Sequence, residues 1–242
     1  MTIGRILGAL FGTASGKGFM GETKVSAAAR LALPTSAYTR FHNVTLPVPD
    51  GTTQIDHVFV SRFGVFVVET KNMGGWIFGN EHDRQWTQVF RSGGKHRFQN
   101  PLRQNYRHVK AVEAALADLR LPPAAVHSVV VFVGKAELKT RMPDHVTEGM
   151  GFATYIRSFR SPVMTEDQVA AACRRIESES LLKSRATDRR HVRELRSRER
   201  LDAPRKCARC GRDMVLRRTR SGPNAGRRFW GCSGFPACRY TR

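Results

Sequence analysis

Four cysteines near the C-terminus constrain the fold of this chain more than any other feature of its sequence. They form two close pairs, Cys207–Cys210 and Cys232–Cys238, with 21 residues between the pairs. Two such pairs joined by a loop can place four thiolates tetrahedrally around one zinc ion. Because four protein ligands leave no open position for a substrate, we expect a structural site whose zinc supplies folding free energy. Four unrelated free thiols are the alternative.

The chain is strongly basic, and most of the excess charge lies near its C-terminus. Lys and Arg outnumber Asp and Glu by 41 to 20 over 242 residues, which gives a net charge of +21. From Lys183 to Arg242 there are 19 Lys and Arg against five acids. A field of one sign favours polyanions, so we expect DNA as the partner. The simpler alternative is that the charge only confers solubility.

The cysteine clustering and the hydropathy pattern also bear on location. No secretory signal is recognisable, so clustered cysteines indicate a metal site rather than disulfides. No run of residues approaches the roughly 18 apolar residues that a membrane span needs. We therefore expect a cytoplasmic protein without a membrane partner, whose oligomeric state the sequence leaves open.

Periodicity predicts an α/β main domain followed by a small appendage. We expect helices at Gly21–Leu33, from Asn100 as N-cap, and from the capping box at Thr165. Alternating or β-branched runs predict strands at 42–48, 53–60, 64–71, 85–91, 127–133 and 152–159. The predicted organisation is an N-terminal segment (1–20) expected to be flexible, a main domain (21–160), a helix and basic linker (161–204) and a zinc ribbon (205–242).

Arginine and aromatic residues alternate around the cysteines of the predicted ribbon. Arginine pairs with phosphate, and aromatic rings stack on unpaired bases, so this pattern predicts a surface for a single strand. The alternative is that some of the rings form the core of the ribbon. The candidate residues are Arg217, Arg218, Arg220, Arg227, Arg228, Phe229, Trp230, Phe235 and Tyr240.

The segment from Gly226 to Thr241 resembles the C-terminal zinc fingers of bacterial type IA topoisomerases. The resemblance covers Arg205 to Arg242 and implies binding of DNA, preferentially single-stranded DNA. It implies nothing about strand passage, because the catalytic domains of a topoisomerase do not fit in this chain.

Three charged residues of the main domain are predicted to converge at the edge of a sheet. Asp56 lies in one predicted strand, and Glu69 and Lys71 share a face of the next strand because side chains alternate along a strand. Two carboxylates can hold Mg²⁺, and the ammonium can stabilise negative charge on a phosphodiester. The spacing alone leaves a surface salt bridge at a strand end equally open.

The main domain also resembles a known family over Gly21 to Ala115. Asp56, Glu69 and Lys71 resemble the signature of PD-(D/E)xK nucleases, and the ordered matching segments resemble the nuclease-related domain (NERD) family. Those segments are Gly21-Glu22 with Val25, Gln54-Ile-Asp-His57, Val-Glu-Thr-Lys-Asn72, Gly79-Asn80-Glu81, Trp86-Thr-Gln88 and Asn-Pro-Leu-Arg-Gln-Asn-Tyr106. The resemblance implies a restriction-endonuclease-like core, a mixed sheet flanked by helices.

The family resemblance implies a role for several residues. Asp56 and Glu69 would bind Mg²⁺ or Mn²⁺, and Lys71 would be the catalytic lysine. Glu22 would be a helix-borne acid beside the metal, although an acid in the first turn of a helix is also favourable by itself. Gln104, and His108 one turn further along the same helix, could approach the site or the scissile phosphate. RecB-like relatives carry tyrosine four residues after the glutamine, where this chain has His108, so it departs from their pattern; Tyr106 is expected on the apolar stripe of this helix. His57 is expected to be structural, and Cys173 to have a packing role.

A separate face of the same helix carries three cations. Arg103, Arg107 and Lys110 would form a solvated surface, or a surface that contacts phosphates if DNA crosses there.

These observations lead to a primary hypothesis with an alternative. The primary hypothesis is a Mg²⁺-dependent deoxyribonuclease, expected to be an endonuclease, that one structural zinc ribbon holds on DNA. The alternative is a non-catalytic nucleic-acid-binding or accessory protein that recruits a topoisomerase or helicase. The sequence leaves open the strandedness and sequence of the substrate, DNA against RNA, and the biological setting.

Overall fold

The structure is a computed structural model that describes residues 14–49, 51–123, 125–180, 205–219 and 226–242. The chain divides into two compact units, Met1–His191 and Val192–Arg242. The first 13 residues of the predicted N-terminal segment, the basic linker at 181–204 and Arg220 lie outside the described residues.

The first unit combines a seven-stranded mixed sheet with four α-helices in the described residues. The helices are α1 (Ala14–Ala32), α2 (Pro101–Ala115), α3 (Gly151–Ser158) and α4 (Glu166–Glu179), with a 3₁₀ turn at Ala117–Leu119. The strands are β1 (Thr39–Val48), β2 (Gly51–Ser61), β3 (Gly64–Phe78), β4 (Gln85–Val89), β5 (Lys95–Gln99), β6 (Val126–Leu138) and β7 (Val146–Glu148). The predicted α/β class, a mixed sheet flanked by helices, is confirmed.

Strand β3 is the axis of the sheet. Its first five residues pair antiparallel with β2, its last three pair antiparallel with β4, and β6 runs parallel along its other edge. Strands β1 and β5 extend the two antiparallel ends, and β7 pairs parallel with β6. Strands β2 and β4 pair with different parts of the same edge of β3. Between these two parts, β3 has residues that pair with neither strand on that edge.

Each face of the sheet is covered by a different pair of helices. Helices α2 and α4 pack on the face that carries Val58, Val60 and Val67. Helices α1 and α3 pack on the opposite face, against Phe59 and Phe66. The predicted central strand is confirmed, since Val65 to Val68 are fully buried. Burial on both faces explains why this run is apolar without alternation.

Helix α2 begins as predicted, with Asn100 as its N-cap. The Asn100 side chain accepts a hydrogen bond from Leu102 N–H and donates to the backbone carbonyls of Asn80, Glu81 and Asp83. One side chain therefore caps the helix and ties it to the loop before β4. The capping box at the start of α4 is likewise confirmed at Thr165.

Two expectations for local structure are wrong, and the Gly-rich region holds one strand more than expected. The segment predicted as a strand at 152–159 is helix α3, because Phe152, Ala153 and Ile156 share a buried helical face. Tyr106 is 61% exposed, since the buried stripe of α2 runs through the polar Asn105 and His108 instead. The Gly-rich region between β3 and α2 contains strand β5, which was not predicted.

The second unit is a small three-stranded antiparallel sheet. Its strands β8 (Arg205–Lys206), β9 (Asp213–Arg218) and β10 (Arg228–Cys232) are arranged in the order β10-β9-β8. Its buried cluster contains Cys207, Cys232, Cys238 and Met214, with Trp230 packed against them. A core this small cannot hold a fold without additional support, which agrees with the predicted role of zinc.

None of the helices in the described part of the chain has the length and apolar character that a membrane crossing requires.

Candidate active site and metal centre

The candidate active site lies along β3, in the gap between the part that pairs with β2 and the part that pairs with β4. The β2–β3 ladder ends at His57 and Val68, and the β3–β4 ladder begins at Trp76. Asp56 is the first residue of β2 beyond the ladder, and its Oδ2 accepts the Thr70 N–H at 2.7 Å. The carboxylate thus satisfies a backbone donor at the point where the strands separate.

Glu69 and Lys71 lie on the same face of β3 in this gap, as alternation predicted. The Lys71 Nζ donates to Glu69 Oε1 at 2.7 Å and to Gln104 Oε1 at 2.8 Å. Gln104 projects from α2, which covers this face of the sheet. The Lys71 ammonium is therefore held by one oxygen from β3 and one from α2, and these two contacts fix its direction.

His108 lies one turn beyond Gln104 and completes the arrangement around Glu69. Its Nε2 lies 3.2 Å from Glu69 Oε2, and its Nδ1 lies 2.8 Å from Thr53 Oγ1. In the tautomer that donates from Nε2 to Glu69, the Nδ1 atom accepts from the Thr53 hydroxyl. Both oxygens of Glu69 are thereby fixed. The spacing of His108 one turn beyond Gln104 predicted that both could approach the site, but it did not predict the contact of His108 with Glu69.

Burial and charge act differently on the two carboxylates. Burial raises the pKa of Asp56 well above its usual value, and the negative charges of Glu69 and Glu22 raise it further. Burial alone would raise the pKa of Glu69 as well, but Lys71 and His108 together hold that pKa below its usual value. Two desolvated carboxylates at one place create a site of negative potential that a cation would relieve.

Glu22 approaches this site from α1, the helix that covers the opposite face of the sheet. Its charge is close enough to raise the pKa of Asp56. The approach depends on Gly21, since a Cβ at that position would lie 2.7 Å from Asn72 Cβ. A glycine is therefore needed where α1 meets β3.

His57 lies on the far side of the sheet from the carboxylates, as predicted. It is fully buried, its Nδ1 lies 2.7 Å from His42 Nδ1, and its ring stacks on Phe59. Burial and the neighbouring His42 lower the pKa of His57 to about 3. A neutral histidine in an apolar layer fits the predicted structural role. Cys173 is half-buried and packs against the core beneath α4, in line with its predicted packing role.

The four cysteines come together in the second unit as their spacing predicted. All four Sγ atoms lie within 4.8 Å of one another. The Cys207–Cys238 distance is 3.7 Å and the Cys210–Cys232 distance is 3.4 Å. Zinc–sulfur bonds of about 2.3 Å in a tetrahedron place the sulfurs roughly 3.8 Å apart, so the cluster fits a structural zinc ion. Within the described residues, no other group of three or more His, Cys, Asp or Glu is as compact.

Comparisons with known proteins match both units separately. The profile of the nuclease-related domain family matches residues 17–133, and that of the topoisomerase DNA-binding C4 zinc finger matches residues 204–242. An uncharacterized protein of Bacillus anthracis is 41% identical over 159 residues, which cover 63% of this chain and 72% of that protein. The chain belongs to the nuclease-related domain (NERD) family. No solved structure is significantly similar to it.

The NERD domain contains every residue that the family resemblance placed at the candidate site. Asp56, Glu69, Lys71 and Gln104 are connected through hydrogen bonds or charge, and Glu22 is near Asp56. The match to the zinc finger likewise supports DNA binding and one structural zinc.

The outer face of α2 in the NERD domain is partly engaged in local contacts. The Arg103 guanidinium donates to the carbonyl of His82, and the Lys110 ammonium pairs with Glu113 at 2.6 Å. Lys110 also lies over the ring of the exposed Tyr106, 5.5 Å from its centroid. Arg107 is partly buried. Contact of this face with phosphates stays a prediction.

The zinc finger divides its aromatic residues between its core and its surface. Trp230 and Tyr240 pack against the cysteine cluster, so these two rings have a structural part as well. Phe235 is 58% exposed, and the Arg217 guanidinium lies 5.7 Å from its ring centroid. Arg217, Phe235 and Tyr240 line a cavity of about 270 Å³ together with Phe229. Arg218 and Arg227 are exposed, and Arg228 lies in β10, where only its backbone is described.

Proposed function

We propose that this protein is a Mg²⁺-dependent nuclease that hydrolyses phosphodiester bonds in DNA. In this proposal Asp56 and Glu69 bind the metal and Lys71 acts on the phosphate. The observation that carries it is the convergence of the buried Glu69 carboxylate, the partly buried Asp56 carboxylate and the Lys71 ammonium in the gap between β2 and β4. The Lys71 ammonium is partly buried and pairs with the buried Glu69, and such an ion pair is a weak argument for a purely stabilising role because buried ion pairs seldom add net stability.

The donor set suits a hard divalent cation. Carboxylate oxygens are the ligands that Mg²⁺ and Mn²⁺ prefer, and two carboxylates leave positions for water and for phosphate oxygens. Asp56 uses one oxygen for the Thr70 N–H, and a carboxylate offers about four acceptor positions in total. A bound ion would lower the pKa of a water ligand and neutralise charge on the phosphodiester.

In this proposal, the other residues of the site stabilise charge on the phosphate and hold Lys71 and Glu69 in their orientations. Lys71 places a positive charge where extra negative charge develops on the attacked phosphate. Gln104 holds the Lys71 ammonium at 2.8 Å and so fixes its direction. His108 holds Glu69 from the side opposite Lys71, which keeps the carboxylate from turning away from the metal position.

The zinc finger supplies affinity in this proposal and does no chemistry. Its four thiolates would surround the zinc and leave no position for substrate. Exposed Arg217 and Phe235 beside the 270 Å³ cavity offer a cation and a ring to an unpaired base. We therefore expect the zinc finger to hold the protein on single-stranded DNA.

A second candidate function is binding of nucleic acid without cleavage. One observation favours it: both oxygens of Glu69 are already engaged by Lys71 and His108. A protein that only docks on DNA could retain this arrangement as a satisfied buried network. Such a protein would show no rate that depends on Mg²⁺.

A cleavage assay distinguishes the two functions. Purified zinc-loaded protein is incubated with circular and linear DNA, single- and double-stranded, and with matched RNA, with and without Mg²⁺. We expect cleavage only with Mg²⁺, and its loss by at least about 100-fold in Lys71→Ala and Glu69→Ala while DNA affinity is kept. Cleavage by either variant at the native rate would show that the activity resides elsewhere. Cutting of circles identifies an endonuclease.

A further inference from the structure

The outer half of β3 exposes two aromatic rings on the sheet face opposite to Glu69 and Lys71. Trp76 is 38% exposed and Phe78 is 37% exposed. Side-chain alternation places them on the same sheet face as α1, which contacts β3 at the earlier residue Asn72 through Gly21. Neither ring belongs to a buried core cluster of the described residues. Two large rings on one sheet face, each more than a third exposed, form an apolar patch of the kind at which partners bind.

Cations surround these rings on the neighbouring strands. On one side, Trp76 pairs with Val89 of β4, which pairs with Lys95 of β5. In the same way, Phe78 pairs with Thr87, which pairs with Arg97. On the other side, β6 brings Lys135 beside Gly74, and the Lys139 Nζ lies 5.8 Å from the Trp76 ring centroid. We name this surface the β-arm face, and it consists of Trp76, Phe78, Lys95, Arg97, Lys135 and Lys139.

The charge of the β-arm face is only slightly offset by acids. Glu137 lies beside Trp76, and it pairs with Lys139 at 2.9 Å and with Arg91. In the described residues, no acid is within ion-pair distance of Lys95, Arg97 or Lys135. The surface therefore keeps a positive field that suits a polyanion.

Protection of a sheet edge explains only part of this arrangement. Lysine and arginine on an edge strand prevent strands of other molecules from pairing there, and β5 is an edge strand of the described sheet. That purpose accounts for Lys95 and Arg97. It does not account for Trp76, which lies on a strand paired on both sides and whose exposed ring would itself promote association.

We propose that the β-arm face binds single-stranded nucleic acid, with its rings stacked on unpaired bases and its cations on phosphates. Stacking of bases on sheet aromatics is a general mode of single-strand recognition, because every base has a flat face. A duplex keeps its bases stacked on one another and offers the rings only its backbone. The same surface should therefore prefer unpaired strands.

The β-arm face is connected to the candidate active site through β3 itself. Trp76 is five positions and Phe78 seven positions beyond Lys71, which is about 16 and 23 Å at 3.3 Å per residue. A strand held there is anchored near the site but on the other face of the sheet. The inference goes beyond the proposed nuclease activity, and it stands whether or not the protein cleaves DNA.

Crosslinking in the full-length, zinc-loaded protein without Mg²⁺ tests this binding surface. The probe is a single-stranded oligodeoxynucleotide of about 30 residues that carries 5-iodouracil, and crosslinked peptides are identified by mass spectrometry. We expect crosslinks at Trp76 or Phe78 in addition to those in the zinc finger. Crosslinks confined to the zinc finger would overturn the proposal.

Affinity measurements on variants supply a second readout. Trp76→Ala/Phe78→Ala should weaken binding of the single strand about five- to 100-fold, given the usual contribution of one stacked base, and should change duplex binding little. Lys95→Glu/Arg97→Glu should weaken single-strand binding and reduce its salt dependence. Leu31→Ala, which removes an exposed apolar side chain from α1, is the matched control and should bind as the native protein. Native affinity in the ring variant, or a change only in its oligomeric state, would contradict the proposal.

Discussion

Replacing His108 by Ala is expected to reduce catalysis by releasing one oxygen of Glu69. The imidazole is nearly fully buried and connects Thr53 to Glu69 through contacts of 2.8 and 3.2 Å. A hydrogen bond to a charged group contributes about 1.5–3 kcal/mol, and an orphaned buried hydroxyl costs about 1–3 kcal/mol. Together these predict a loss of roughly 3–5 kcal/mol, which a domain of usual stability can survive at 20–25 °C.

The kinetic effect should exceed what a loss of stability alone would cause. Partners that orient a metal ligand typically change metal affinity or activity about 10- to 100-fold. We therefore expect His108→Ala to lower the Mg²⁺-dependent cleavage rate by that factor and to raise the Mg²⁺ concentration at half-maximal rate. His108→Gln keeps a donor toward Glu69 and should recover part of the rate. Rates are measured over a Mg²⁺ titration at a temperature where circular dichroism shows both variants folded.

Thr53 provides the matched control for this prediction. Thr53→Ser keeps the hydroxyl and should be close to native, whereas Thr53→Val has the same shape without the hydroxyl and should shift the Mg²⁺ dependence in the same direction as His108→Ala. A folded His108→Ala protein with the native rate and native Mg²⁺ dependence would refute the reasoning.

Three further predictions concern the zinc finger and the frame of the site. Cys210→Ser should lose the zinc and most of the DNA affinity, whereas Cys173→Ser should keep both, as measured by metal content and fluorescence anisotropy. Asn100→Asp keeps the helix cap but loses three donated hydrogen bonds, so urea unfolding should show about 2–4 kcal/mol of destabilisation. Gly21→Ala should cost about 1–3 kcal/mol by overpacking and should lower the cleavage rate by displacing Glu22.

Each of these predictions has a result that contradicts it. Full zinc content in the Cys210 variant would show that the four-thiolate assignment is wrong. Equal stability of Asn100→Asp and the native protein would mean that the loop carbonyls find other donors. Native stability in Gly21→Ala would show that α1 can move away from β3 without cost.

Local chemistry made several features predictable from the sequence. The spacing of Cys207, Cys210, Cys232 and Cys238 requires only that two knuckles face each other, and the structure brings their sulfurs together. Side-chain alternation in a hairpin similarly placed Glu69 and Lys71 on one face. Both inferences depend on short stretches of chain whose geometry is regular.

Features that depend on contacts between distant segments were not predictable. The separation of β2 from β4 along β3 creates the gap at Asp56, and no local pattern encodes where two strands leave a third. The contact of His108 with Glu69 joins residues 39 positions apart. Apolar periodicity places Tyr106 on the buried stripe of α2, whereas the structure buries the polar Asn105, whose side chain donates to the carbonyls of Val67 and Val129.

Short segments were ambiguous for a different reason. Residues 152–159 hold only two turns of helix, and an apolar run of that length fits a strand equally well. Tertiary packing selects the helix, because Phe152 and Ile156 pack in the buried cluster that α1 forms with this face of the sheet.

The central claim is that Asp56 and Glu69 form a metal site for phosphodiester hydrolysis. The most direct test is the rate of cleavage of circular single-stranded DNA as a function of Mg²⁺ concentration, for native protein and Asp56→Asn at equal zinc content. We predict a rate that saturates with Mg²⁺ in the native protein and stays at background in Asp56→Asn at every concentration. A native rate that is unchanged without Mg²⁺, or an Asp56→Asn protein that cleaves as fast as the native one, would contradict the claim.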